Sequence, residues 1–147
     1  MGAEPPRLCD HGKDVIVLAH SYGGVVSSAA ENDQARGVVM IIYMTAFVIS
    51  KGATLVAACG GQLFPWKGSY ASDIRAEGAF HDLPETEQGH WTAALTHASL
   101  LLPLQIQEHM VGTLGTPRTV RLKSSHHPFP SMPQTVADIV ERLSNNV

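Results

Sequence analysis

The stretch DVIVLAHSYGGVV, from Asp14 to Val26, narrows the possible folds more than any other part of the chain. Its unbroken apolar run, Val15 to Ala19, has the pattern of a strand covered on both faces, as in a parallel sheet. The run passes without a spacer into His20-Ser21-Tyr22-Gly23-Gly24, and then into small and apolar residues that suit a tightly packed helix. Strand, tight turn and helix in direct succession start a βαβ unit.

A serine between strand and helix, with a small residue two before it (Ala19) and another two after (Gly23), has the nucleophile-elbow pattern. The expected cause is steric: side chains at both flanking positions would collide with neighbouring backbone. Such a turn lifts the Ser21 oxygen above the sheet and aims the Tyr22 amide at a developing oxyanion. Gly23-Gly24 also fits plain turn chemistry or a phosphate-cradling loop. No Lys-Ser/Thr pair or dinucleotide-type glycine triplet accompanies it.

The 147 residues make one domain, large enough to bury about two-thirds of its unfolded surface. A net charge of −3 with 16% charged residues gives no footprint for nucleic acid or an anionic membrane. The longest apolar run, Val38 to Ile49, is too short to span a bilayer, and the N-terminal residues lack signal-peptide architecture. Cys9 and Cys59 are too few for a disulfide framework, so a cytoplasmic, reducing setting is expected.

Residues 1–13, with Pro5-Pro6, read as an irregular lead-in. The first strand is 15–19, and a helix follows from about Gly23 to Asp33 with Val25, Val26, Ala29 and Ala30 as its packing face. Val38 to Met44 is a second apolar strand, completing a right-handed βαβ unit. From about 50 to 100, repeated Gly and Pro and both tryptophans mark a cap: loop to about Lys67, a short helix near 69–77, and a helix from Pro84 to His97. Glu85 and Glu87 suit that last helix's dipole. Another helix runs from Pro103 to about Leu114. Residues 119–122 form a third, shorter strand. A final helix begins at Ser131-Met132-Pro133-Gln134, read as a capping box, with Val136, Ile139, Val140 and Leu143 facing the core.

Between the third strand and that helix lies Ser124-Ser125-His126-His127-Pro128-Phe129-Pro130. Imidazole titrates near neutrality, so a histidine on this loop can take a serine proton and return it to a leaving group.

These segments together resemble the α/β-hydrolase superfamily, and within it the small esterase and hydroxynitrile-lyase-like branch that includes many fungal hydrolases of secondary metabolism. The resemblance runs through Gly12-Lys13-Asp14-Val15, the Ser21 elbow and Tyr43-Met44-Thr45-Ala46-Phe47. It continues through Phe80-His81-Asp82-Leu83-Pro84, Trp91, Leu95 to Ser99, Leu102 to Met110 and Ser125-His126-His127-Pro128-Phe129. It implies a hydrolase with Ser21 as nucleophile, the Tyr22 amide at the oxyanion and His126, rather than His127, as base. It is a truncated likeness: the family's strands before the elbow, and the strand and loop carrying its catalytic Asp, have no counterpart here.

Asp82 and Asp138 are the carboxylates left as candidate acids, with Asp33 placed on the far side of the first helix. A Ser–His pair without its acid loses about four orders of magnitude in rate. His20, Phe47, Phe80, Trp91 and Phe129 are expected around the substrate pocket, with His20 mainly structural and the cap aromatics also suited to simple packing. His90 and His97 lie seven apart and His126 and His127 are adjacent, neither being a strong ligand spacing, so no metal and no cofactor is expected. The edge at Val15 to Leu18, left open by the missing strands, points to a homodimer.

The expected fold is therefore α/β, with about three parallel strands (15–19, 38–44, 119–122), flanking helices and a helical cap at about 50–100. The expected function is hydrolysis of a small apolar or aromatic ester or lactone by Ser21 and His126. The alternatives are a lyase, cyclase or isomerase using His126 as acid–base, or a catalytically inactive binding protein.

Overall fold

Two runs rich in β-branched residues pair with each other. β1 (Val15–His20) and β2 (Val38–Met44) pair in parallel, from Val15 opposite Val38 to His20 opposite Met44, with a register shift between Val15 and Ile16. Parallel strands need a crossover, which α1 (Gly23–Asn32) supplies. The structure, a computed structural model, describes residues 12–32, 37–50, 52–59, 61, 79–94, 104–115 and 118–147. Asp33, the helix expected near 69–77 and His97 lie outside these residues.

β1 and β2 are the whole sheet among the described residues. The segment 119–122, expected as a strand, has no regular secondary structure and pairs with no strand among the described residues. It lines an open groove of about 1540 Å³ together with β2 and residues of the last helix (Pro133–Ser144), and carries no ladder to either. A strand is defined by its neighbour, and among the described residues this segment has none. The strands are also less covered than their apolar sequences imply. Ala19 is buried, but Leu18 is 45% and Val39 41% exposed. Double coverage of the sheet is thus corrected to partial coverage.

The remaining elements are α2 (Leu55–Ala58), α3 (Glu85–Ala94), α4 (Leu104–Gly112), α5 (Pro128–Ser131) and α6 (Pro133–Ser144). α2 falls where loop was expected, and the Thr54 side chain caps it by accepting from the Ala57 amide at 3.2 Å. α6 does not use the expected capping box. Its cap position is Met132, which offers no side-chain bond, because Ser131 ends α5 and turns its hydroxyl to Asp82. Val136, Ile139, Val140 and Leu143 face the groove and are only partly buried, not packed in a core.

Two apolar clusters hold the described parts. Phe47, Val48, Cys59 and Met110 form one, with Val25, Tyr43, Leu55, Ala58 and Ile106 against it. Ala79, Phe80, Leu83 and the partly buried Trp91 form the other. The buried Ser28 joins α1 to β2: its hydroxyl donates to the Gly24 carbonyl at 2.8 Å, lies 3.2 Å from the Tyr43 hydroxyl and accepts from the Ile49 amide at 3.3 Å. Among the described residues, no helix is long and apolar enough to cross a membrane.

Candidate active site

Both strands end in a residue with left-handed backbone, and both ends meet the same loop. Ser21, directly after β1, has φ 54°, and Thr45, directly after β2, has φ 44°. Non-glycine residues occupy this region only when the surroundings hold them there. At Ser21 the hold is visible: its carbonyl accepts from the amides of Gly24 at 3.2 Å and Phe47 at 3.1 Å. The close approach that this demands falls at Gly24, where an added Cβ would lie 1.9 Å from the Phe47 carbonyl oxygen. Gly23, expected to be the sterically required position, has open space around an added Cβ. The tight contact is between the helix's first turn and the segment leaving β2, not across the serine turn itself.

The turn presents Ser21 to the loop before α5. His126 Nε2 lies 3.0 Å from Ser21 Oγ. The main chain of His126 is fixed by both strand ends: its carbonyl accepts from His20 Nε2 at 3.0 Å and from Thr45 Oγ1 at 2.8 Å. His20 therefore orients the loop through the His126 backbone. Thr45 was not singled out in the sequence; its position at the end of an apolar strand beside a second elbow-like turn is the signal that marks it.

Asp82 reaches the same loop but not the imidazole. Its Oδ2 accepts from the Ser125 amide at 2.9 Å and the Ser131 hydroxyl at 2.5 Å, while its Oδ1 is buried with no hydrogen-bond partner. Burial works to raise this carboxyl, but the hydrogen bonds from Ser131 and Ser125 outweigh it and hold Asp82 below its ordinary range. Asp82 is thus a positioning residue for the 124–127 loop. Asp138 is exposed on α6 and takes a bond from Gln134 Nε2 at 2.7 Å. Among the described residues, no carboxylate bonds to the His126 ring.

Its company is instead two more histidines. The rings of His20, His126 and His127 form a triangle, with centroids 4.9 Å (20 to 126), 4.8 Å (20 to 127) and 4.8 Å (126 to 127) apart. Burial, then the nearness of His20 and His127, pushes His126 down to about 3. Burial also lowers His20, against the pull of its bond to the His126 carbonyl. His127 is lowered by burial too; its bond to the Ala79 carbonyl at 3.2 Å and the Asp82 charge work the other way. All three are neutral imidazoles at neutral pH.

Of the expected pocket residues, His20 and Phe129 stand at the pair. Phe129 sits edge-on to His20 at 5.3 Å and to His127 at 5.6 Å. Phe47 and Phe80 are fully buried, packed in the two clusters, so neither offers a face to a substrate. Phe80 stacks on His127 at 4.6 Å, and Trp91 lies behind Phe80 at 6.1 Å. Tyr22 leans against Phe47 and is exposed. The aromatic groups of the cap segment thus support the histidine loop. Comparisons with protein-family models, with curated proteins and with solved structures find no match for this chain.

Proposed function

We propose that the chain is a serine-dependent hydrolase of a small ester or lactone, similar in chemistry to the α/β-hydrolase elbow enzymes that its sequence resembles. One observation carries the reading: a serine held at φ 54° between a parallel strand and a helix has a buried imidazole nitrogen 3.0 Å from its oxygen. Ser21 Oγ attacks the substrate carbonyl as its proton passes to His126 Nε2. The tetrahedral oxyanion faces the start of α1, where the Tyr22 amide is the candidate donor. Collapse expels the alkoxide, which takes the proton back from His126, and water repeats the cycle on the acyl-serine.

His126 is an inefficient base in this setting. Among the described residues no carboxylate meets the other nitrogen of the imidazolium that forms as Ser21 attacks, and burial disfavours it. Turnover is therefore slow, on the order of 10⁴ below a complete triad. That same feature favours the second reading, a binding protein on an enzyme-like frame.

Reaction with a fluorophosphonate, read by intact mass on the wild type, Ser21→Ala and His126→Ala, decides between them. Labelling that needs both residues supports the hydrolase. A folded protein that takes no label overturns it.

The exposed Leu18 and Val39, and the Val26 side chain at 63% exposure on α1, are further proposed to pack against a second copy. A light-scattering mass of one chain at micromolar concentration would refute the dimer. A cytoplasmic setting is proposed on the buried free thiol of Cys59, which a reducing compartment preserves.

A further inference from the structure

We propose that His20, His126 and His127 form a binding site for one divalent transition-metal ion of the zinc class, and that its occupancy switches the Ser21–His126 pair off. One ring nitrogen of each histidine lies within 4.8 Å of the other two. Three imidazoles on a tetrahedral zinc, with Zn–N of about 2.0–2.1 Å, place their ring centroids about 5 Å apart. The observed triangle of 4.8, 4.8 and 4.9 Å has that spacing and is nearly equilateral, and its ring nitrogens, within 4.8 Å of one another, close to about 3.3–3.4 Å by small ring rotations when they share an ion. That spacing is also usual for packed rings, so what distinguishes this trio is that each ring keeps a nitrogen free to face a shared ligand. The ring planes, at 46°, 47° and 85° to one another, are fanned rather than stacked, which leaves room for a common ligand.

The hydrogen bonds set the tautomers the same way. A carbonyl oxygen only accepts, so His20 Nε2 carries its proton toward the His126 carbonyl and His127 Nδ1 carries its own toward the Ala79 carbonyl. His20 Nδ1 and His127 Nε2 are left with lone pairs. A ring nitrogen donating to a backbone carbonyl while the other holds the metal is the usual outer-shell arrangement of metal-bound histidine. Asp82 adds a negative charge that acts on His127.

His126 completes the set and explains the switch. Its Nε2 faces Ser21 Oγ, so the nitrogen it can give to a metal is Nδ1. A neutral imidazole bound through Nδ1 must keep its proton on Nε2. That proton points at Ser21 Oγ, and the ring no longer has a lone pair with which to take the serine proton. Metal binding and general-base function are mutually exclusive on His126.

The switch rests on the hydrolase reading; the metal site does not. The test titrates zinc chloride into the whole chain by calorimetry, with cobalt(II) absorption as a second readout of tetrahedral coordination. The expected result is one equivalent bound at micromolar affinity or tighter. His20→Phe and His127→Phe, which keep a ring in place, should each weaken it by at least about 100-fold with unchanged far-UV circular dichroism. His109→Gln, on exposed α4, should leave it unchanged. Ser21→Ala should bind zinc within about threefold of wild type, since it removes no ligand.

No zinc bound by the wild type, or affinity unmoved by both phenylalanine variants, overturns the site. Zinc bound as described, with Ser21 labelling by a fluorophosphonate abolished at one equivalent and restored by chelator, supports both parts. If the zinc-free protein never labels, the hydrolase reading fails while the binding result still decides the metal site.

Discussion

Acidifying the protein from pH 7 to pH 5 should remove about 2 kcal/mol of folding stability through His126 alone. In the unfolded chain this imidazole titrates at the ordinary 6.5, and in the folded chain it is pushed down to about 3, first by burial and then by His20 and His127. Between those values the unfolded state binds a proton that the folded state refuses, so stability falls as pH falls. At pH 7 about a quarter of unfolded chains carry that proton; at pH 5 nearly all do, which gives the 2 kcal/mol. Its side chain is mostly shielded, so solvent screening removes little of this. His20 and His127 are also lowered and add in the same direction. Asp82 does not contribute in this window. Its carboxyl is held below the ordinary 3.8, so the stability it gives is complete at pH 5 and is lost only on further acidification.

The assay is urea unfolding by circular dichroism at pH 7, 6 and 5, with chelator present so that only protons are read. His126→Gln is the comparison, because glutamine keeps a polar side chain of similar reach and does not titrate. What matters is the slope with pH in each protein, since the cost of the substitution itself cancels. The wild type should lose about 2 kcal/mol more than His126→Gln between pH 7 and pH 5. Equal slopes, or a wild type that gains stability on acidification, would refute the reasoning. A domain of this size holds roughly 5–15 kcal/mol in total, so the expected loss is easily measured.

Two substitutions separate what the elbow needs from what its sequence suggests. Gly24→Ala places a Cβ against the Phe47 carbonyl, where backbone must move, and should destabilise by about 3 kcal/mol or prevent folding. Gly23→Ala meets nothing and enters a helix, so it should stabilise by about 0.5–1 kcal/mol in the same denaturation assay. Asp82→Asn weakens the acceptor for Ser125 and Ser131 and puts an amide group at a buried position with no partner. It should cost about 2–3 kcal/mol by thermal unfolding and slow fluorophosphonate labelling without changing its pH profile. A changed profile would mean that Asp82 acts on the His126 ring directly.

What could be seen in the sequence was what local pattern determines. The runs 15–19 and 38–44 are too short and too β-branched to be anything but strands, and they lie at Val15–His20 and Val38–Met44 in parallel register. The serine turn was legible because strand, Ser and Gly stand in contiguous order. What failed depends on distant neighbours. Residues 119–122 have strand composition, yet β structure exists only with a paired partner, and among the described residues they have none. Ser131 looked like a cap because Gln134 follows three residues later, but a carboxylate 49 positions away in the chain takes its hydroxyl. Phe47 and Phe80 are large and flank the motif, and nothing in their spacing distinguishes a buried packing role from a pocket wall. The histidine triangle was hidden for a similar reason: His20 is separated from His126 by 106 positions, and only the shared anchoring at the strand ends brings the three rings together.

Under the proposed hydrolase reading, that triangle also stands where, among the described residues, no carboxylate reaches the His126 ring. A triad carboxylate works by stabilising the imidazolium that forms as serine attacks. Here the position beside His126 is filled by imidazoles, which oppose that charge, and by carbonyl-anchored tautomers that leave lone pairs unspent. Unprotonated imidazole is the form that can ligate a metal, so nitrogens that stay free of protons at neutral pH need release none to bind one. Under both proposals the same three rings govern the base and the ligand set. A substitution that improves one should therefore harm the other. His20→Phe would remove one of the two neighbouring imidazoles that hold the His126 ring down, raise its affinity for protons and speed serine labelling, while removing one of the three metal ligands. Faster labelling together with weaker zinc binding in that single variant is the outcome this trade-off requires; a change in the same direction for both would break it.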